Sequence, residues 1–486
     1  MTLLPGVTLD REGPVADLLA ADPSRAFLRW RGGEWTVGEF TRQARRAAAA
    51  LHARGIGRGD RVAIMSRNSP WQLAWQYGAH FLGAVEVPIN ADLRGPMLEH
   101  VLQDSDPALI LAQEEFDVPG AVRLEAPPVT DERDPVATRP DELATILYTS
   151  GTTGPSKGVM LPHGYFSNLG AVLAGVLELE PEDVGYFVMP FFHVDAHIVA
   201  PACLQSGSTL SFIERFSVRR FWDDVNTFKA TWWFVIGSIL EAVRSAGPPA
   251  THTLTRAVGA PIPEASYRFF EDELGIRIQS MYGQTEADAP CYETATRRRR
   301  GSAGFSCAGF DVKLLDGEAE VPTGGIGEIV YKPNHRNLMT LGYWKREPLE
   351  GEWFRSGDLG QFDEDGFLFF KGRITDSLRR RGENVSAYEL EATLRGAPGI
   401  ADCAAIGVKD ELGGEDEIKV FVTLAQPGFD AEAFFAYAER NLPRFAVPRF
   451  VEVIDDSLLV RSAGTGVVQK HRLPREHGAQ TLDRLA

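Results

Sequence analysis

The chain has 486 residues, 44% of them apolar and 24% charged, the balance of a soluble protein with roughly two to four cores; a disordered, fibrous or small disulfide-stapled chain is excluded. Asp plus Glu number 67 against 50 for Lys plus Arg, a net charge of −17. That charge opposes broad attraction to nucleic acid or to an anionic membrane, while leaving room for a local basic pocket.

The first residues lack a basic segment followed by an apolar core, so no signal peptide is read there. Residues 36–53 place Phe40, Ala47 and Leu51 at helical spacing behind Thr36, a good N-cap. Residues 61–65 and 84–89 read as short buried strands, with a helix over 70–82 between them. This alternation predicts a layered α/β fold with parallel strands. The Pro-, Asp- and Glu-rich segment 115–141 reads as a surface connection. The most apolar stretch, 232–243, is broken by Gly237, Ser238 and Glu241 and falls far short of the ~20 residues that span a bilayer. No fixed-period repeat occurs. The four cysteines, Cys203, Cys291, Cys307 and Cys403, are scattered without a CxxC pair, so inert thiols are expected rather than a zinc site. A soluble, cytoplasmic protein is the expectation, without nucleic-acid or membrane partners, as a monomer or homodimer.

Further on, residues 366–370 read as a strand, followed by a polar, glycine-bearing stretch. Residues 388–394 and 431–442 then read as helices, and 404–408 and 419–424 as strands. That pattern predicts a small C-terminal α+β domain over 375–486, after a large domain over 1–374 and a hinge at Thr375–Asp376.

The sharpest chemical signal is the run Tyr148-Thr149-Ser150-Gly151-Thr152-Thr153-Gly154-Pro155-Ser156-Lys157-Gly158, led in by the apolar residues 144–147. Its glycines let backbone N–H groups approach phosphate oxygens, and its hydroxyls and ammonium add donors for the same anion. It is not a Walker A loop, because Gly158 stands where that motif needs Ser or Thr after the lysine.

This string resembles the phosphate loop of the adenylate-forming superfamily, which includes acyl-CoA synthetases, luciferases and peptide-synthetase adenylation domains. Further segments follow in that family's order, and the resemblance implies their roles. Tyr282-Gly283-Gln284-Thr285-Glu286 looks like the second nucleotide motif: the Tyr282 ring would stack on adenine, Thr285 would meet the α-phosphate, and Glu286 would hold Mg²⁺. Gly259-Ala260-Pro261 looks like the adenine-side loop. Asp358, in Ser356-Gly357-Asp358-Leu359-Gly360, would bind the ribose hydroxyls, with Arg373 near the ribose and phosphate. His193 and Asp195 lie in a segment similar to the pocket-mouth motif. Ile236, Gly237 and Met281 would line the acid pocket, and the residues 232–235 read either as pocket wall or as core. Asp195 and Asp288 would suit a cationic or amino-bearing substrate, or else cap turns. Residues 381–386 resemble the coenzyme A segment, where Gly382 would let the pantetheine arm pass. The basic run 379–381 would meet coenzyme A phosphates, and Arg297–Arg300 reads as a solvated loop or an anion dock. The resemblance is to ligases of carnitine-like small acids.

The activity implied is ATP-dependent and AMP-forming, with ATP, Mg²⁺ and coenzyme A. A small carboxylic acid becomes an acyl adenylate and then a thioester. One position departs from the pattern: Val467 stands where the family has a lysine that aligns the carboxylate with the α-phosphate. A charge pair at 4 Å and an effective dielectric of 20 is worth ~4 kcal/mol, or ~10³ in rate. Lys470 could stand in only if this segment is a turn or helix, since three residues along a strand reverse the face. Four readings stay open: an ordinary ligase with a relocated cation, a chain altered to hold one state, a diazotase that activates nitrite toward an aryl amine, and a nucleotide-binding protein with impaired adenylation.

Overall fold

The computed structural model describes residues 7–485 except 94, 130, 150–155, 307–308, 375–376, 381–382, 410–415, 443–445, 462–467 and 479. The expected hinge at Thr375–Asp376, the loop residues Ser150, Gly151, Thr152, Thr153 and Gly154, and also Cys307, Gly382 and Val467, therefore lie outside the described residues. The chain forms two compact units. The larger takes residues 1–312, 331–354 and 366–368, and the smaller takes 313–330, 355–365 and 369–486.

The larger unit holds a nine-stranded and a six-stranded sheet. In the six-stranded sheet Arg61–Met65 and Val85–Ile89 pair in parallel, and Leu143–Thr149 runs antiparallel to Lys157–Pro162. Parallel strands need crossover helices, and the helix Pro70–Phe81 supplies one between the first two. Every residue of Val85–Ile89 is buried, as expected for a strand covered on both faces. The helix Val37–His52 starts at a capping box: the Thr36 hydroxyl accepts from the Glu39 N–H at 3.2 Å, and the Glu39 carboxylate accepts from the Thr36 N–H at 2.8 Å. The nine-stranded sheet includes four consecutive parallel strands, Val184–Phe187, Trp232–Val235, Arg256–Gly259 and Arg277–Gln284. Its far side is the hairpin of Arg277–Gln284 with Ala287–Tyr292.

The apolar stretch at 232–243 resolves into a strand, Trp232–Val235, and a helix, Gly237–Ala246. Trp233 and Val235 belong to a core cluster with Phe221, Phe270 and Ile278. The core reading therefore holds for these two residues, in preference to pocket wall.

The smaller unit carries a four-stranded sheet in the order Ile400–Lys409, Asp416–Leu424, Phe450–Val453, Thr481–Asp483, packed against the helices Ala387–Leu394 and Ala431–Asn441. The strand expected at 366–370 begins at Leu368 and runs to Arg373. Gly366 precedes it with φ +79°, a left-handed turn that any side chain would strain. Among the described residues no helix is long and apolar enough to cross a membrane.

Candidate active site

The phosphate-loop run joins two antiparallel strands, with Thr149 ending one and pairing with Lys157 at the start of the next. Lys157 is exposed, and its ammonium lies 5.5 Å from the centre of the Tyr343 ring, within cation–π range. The Tyr343 hydroxyl donates to Glu286 Oε1 at 2.8 Å. Burial first, and then Glu286, raise the Tyr343 pKa, so the phenol stays protonated and can donate. Three chain segments thus bring a cation, a phenol and a carboxylate together.

Thr285 and Glu286 form the two-residue tip of the hairpin whose first strand carries Met281, Tyr282 and Gly283. The tip is tied down from two sides. The Tyr165 hydroxyl, from the helix His163–Leu177, donates to the Thr285 carbonyl at 2.9 Å, and the Thr340 N–H donates to the Glu286 carbonyl at 2.8 Å. A Cβ on Gly283 would lie 1.7 Å from the Asp288 carbonyl oxygen, so the hairpin closes only with glycine there. Gly259 is required for the same kind of reason, since its Cβ would lie 1.6 Å from the Val235 carbonyl oxygen of the neighbouring strand. Both glycines serve the packing of the protein's own backbone. Gly237, beside Ile236 at the helix start, packs on the Ala260–Pro261 loop, where an added Cβ would come 2.5 Å from the Pro261 oxygen.

One carboxylate stands on this hairpin and feels the charge of a second from a helix. Asp195 stands in the first turn of the helix Val194–Ser206, and Asp288 in the strand Ala287–Tyr292. Burial pushes the Asp195 carboxyl up to about 6. Burial and then the charge of Asp195 push Asp288 well above the usual carboxylate range. Tyr165 feels the charges of Asp288, Glu286 and Asp195 together, after burial as the main cause of its raised pKa. His193 precedes the helix as its N-cap residue; burial lowers its pKa to about 4, so the ring is neutral.

In the smaller unit, Arg373 Nε lies 3.3 Å from Asp358 Oδ1, so the two residues implied in ribose binding meet. Gly357, with φ +72°, makes the left-handed step before Asp358. Lys470 opens a short 3₁₀ turn, Lys470–Arg472, and its ammonium lies 2.8 Å from Glu391 Oε1. Arg297, Arg298 and Arg300 are exposed in a loop, as expected, yet the run is tied to the protein surface. Arg298 and Arg300 pair with Glu271, Arg300 also with Asp272, and Arg297 and Arg299 stack on Phe305 and Phe367.

The donor set suits Mg·ATP. Among the described residues no group of three or more His, Cys, Asp or Glu side chains could hold a metal ion, so no all-protein cage is present. A single carboxylate such as Glu286 is what Mg²⁺ takes when phosphate oxygens and water supply its remaining ligands. Tyr165, Tyr343, Glu86 and His197 were not singled out from the sequence. A signal existed for Glu86, the one charge in the buried run of residues 85–89.

Residues 16–344 match the AMP-binding enzyme family, and residues 389–463 match the AMP-binding enzyme C-terminal domain. The chain belongs to the AMP-binding enzyme family. This AMP-binding enzyme is 30% identical over 487 residues to the crotonobetaine/carnitine–CoA ligase of Salmonella agona strain SL483, a match covering 90% of this chain and 93% of that protein. Its fold is similar to that of O-succinylbenzoate coenzyme A synthetase from Bacillus subtilis in complex with AMP, with a TM-score of 0.87, 22% identity, and 95% of this chain and 98% of the other covered. It is also similar to the anthranilate CoA ligase AuaEII in complex with anthranoyl-AMP, with a TM-score of 0.83, 23% identity, and 96% and 97% covered. As an adenylate-forming enzyme of the acid–CoA ligase kind, it uses ATP, Mg²⁺ and coenzyme A.

Proposed function

We propose that the enzyme joins coenzyme A to a small carboxylic acid that carries an amino or ammonium group. In the first half-reaction the acid's carboxylate attacks the α-phosphorus of ATP and pyrophosphate leaves. In the second, the coenzyme A thiol attacks the acyl carbon and AMP leaves. Lys157 and the hydroxyl-rich loop before it would take the pyrophosphate charge, Tyr282 the adenine face, and Asp358 with Arg373 the ribose. Glu286 would hold Mg²⁺, which neutralises charge between the phosphates.

The observation that carries the substrate class is the Asp195–Asp288 pair. The half-buried Asp195 perturbs the buried Asp288, and neither pKa is perturbed by a Lys or Arg among the described residues. Burial and mutual repulsion disfavour a second charge on this pair, and a substrate ammonium would offset both effects. The name of the Salmonella relative supports the same class.

Pyrophosphate release is the test, with a panel of small acids: trimethylammonium acids, aminobenzoates and their uncharged isosteres. Ammonium- or amino-bearing acids are expected to be preferred, and Asp195→Asn is expected to erode that preference about ten-fold or more, the scale of one charged hydrogen bond. A preference for uncharged acids would overturn the substrate class. AMP release that requires nitrite and an aryl amine, or tight ATP binding with no turnover, would overturn the reaction itself.

A further inference from the structure

Behind the acid-binding side lies a buried group of polar residues that the reaction does not use directly. Glu86 projects from the strand Val85–Ile89, and its residue is fully enclosed, with 0% of its surface exposed. His197 lies one turn into the helix Val194–Ser206, with 1% of its side chain exposed. Both ring nitrogens of His197 face oxygen atoms. Nε2 lies 2.8 Å from Glu86 Oε2, and Nδ1 lies 3.1 Å from the His193 carbonyl oxygen.

A carbonyl oxygen can only accept, and so can a carboxylate. A neutral imidazole carries one N–H and would turn a lone pair toward one of these oxygens. With Glu86 ionised, only an imidazolium donates to both at once. We propose that Glu86 and His197 are a charge-assisted positioning pair: a doubly protonated His197 ties the His193 carbonyl, at the start of its helix, to the strand that bears Glu86. The tie holds His193 and Asp195 in place for the acid substrate.

The surroundings agree. The groups packed around the pair are Tyr77 and His80 on the helix Pro70–Phe81, His163 on the helix His163–Leu177, and His193 and Asp195 beside His197 itself. His80 Nε2 stays 4.0 Å from Glu86 Oε2, and burial holds the His80 pKa far below that of a free imidazole. His163 and His193 are likewise lowered to about 4. In His197 alone the pull of Glu86 and the His193 carbonyl overcomes burial and raises the pKa. His197 is also the charge that opposes the effect of burial on Asp195. Glu86 Oε1 has no hydrogen-bond partner among the described residues, so His197 is the carboxylate's principal anchor.

The proposal rests on the acid-binding role given to His193 and Asp195, and its test separates the two. In the full-length protein labelled with ¹⁵N-histidine, NMR between pH 6 and 8 is expected to show both His197 ring nitrogens protonated. The resonances are assigned by their loss in His197→Gln, and Glu86→Gln is expected to convert the ring to its neutral form. A neutral His197 in the wild-type protein overturns the proposal, whatever the substrate proves to be. With an acid taken from the pyrophosphate panel, Glu86→Gln and His197→Gln are expected to raise KM for the acid about ten-fold while KM for ATP stays near its wild-type value. Glu86→Asp, which keeps the charge, is expected to recover part of the loss. A lowered melting temperature with an unchanged KM for the acid would reduce the pair to a structural role and overturn the positioning claim. If no acid in the panel turns over, the proposed function fails, and the NMR result still decides the state of the pair.

Discussion

Tyr343 shows how one hydroxyl can organise two charges. It donates to Glu286 at 2.8 Å, and its ring lies under the Lys157 ammonium. A charge-assisted hydrogen bond in a partly exposed setting contributes about 1.5 kcal/mol, or roughly ten-fold in binding. Tyr343→Phe keeps the ring and therefore the cation–π contact, but frees the carboxylate to rotate. The expected outcome is a KM for Mg·ATP about ten-fold higher, with a steeper dependence on Mg²⁺ and no loss of melting temperature. Titrating Mg²⁺ in a pyrophosphate-exchange assay checks it; an unchanged Mg²⁺ dependence would remove Glu286 orientation from the list of things Tyr343 does.

At the scale of an element, the buried histidines couple helix packing to pH. His163 opens one helix and His193 caps another, and burial lowers both pKa values from 6.5 to about 4. The unfolded chain therefore binds more protons than the native one in that interval, so stability falls as pH falls. The loss is fully developed below pH ~4 and amounts to about 3 kcal/mol for each group at most. His197 has the opposite sign: its raised pKa adds stability below the free-histidine value, and that stability is lost as pH rises through the raised one. Urea unfolding at pH 7.5 and at pH 5 is expected to show a markedly weaker protein at the lower pH, with a shallower slope in His163→Gln. An unchanged pH slope in His163→Gln would mean that burial does not lower the pKa of this imidazole. Helix boundaries, by contrast, are local matters. The capping box at Thr36 and Glu39 and the proline that opens Pro70–Phe81 are visible as residue types at fixed spacing.

At the scale of the whole molecule the open question is charge at the acid–ATP junction. Val467 carries none. Lys470 is held by Glu391, whose carboxylate also accepts from the Ala405 N–H at 2.7 Å, so this lysine is committed within the smaller unit. We expect Val467→Lys to speed acid-dependent pyrophosphate exchange by up to ~10³, the scale of a charge pair at 4 Å in a medium of effective dielectric 20. Stopped-flow or isotope exchange at saturating ATP measures it. No gain from a well-folded variant would mean that the junction is built for a first step that does not need that cation.

Much of the architecture was legible as pattern. The strand over 61–65, the helices over 36–53 and 70–82, and the C-terminal elements follow from hydrophobic periodicity and capping, which depend on neighbours in the chain. Beyond the phosphate loop, the nucleotide readings rest on resemblance to one family's motifs in order, since Tyr282 and Asp358 by themselves read as turn-region residues. Less visible were Glu86, His197, Tyr165 and Tyr343. Their meaning lies in partners up to 111 residues away for His197 and Glu86 and 120 for Tyr165 and Thr285, and a charged or phenolic residue in an apolar run does not name its partner. The sequence by itself determined the family chemistry and the order of elements, because both are written in local spacing. Only the tertiary structure decided which arginines are tied up, which lysine is committed and which histidine faces a buried carboxylate, because those depend on burial and on distances between strands and helices remote in the chain.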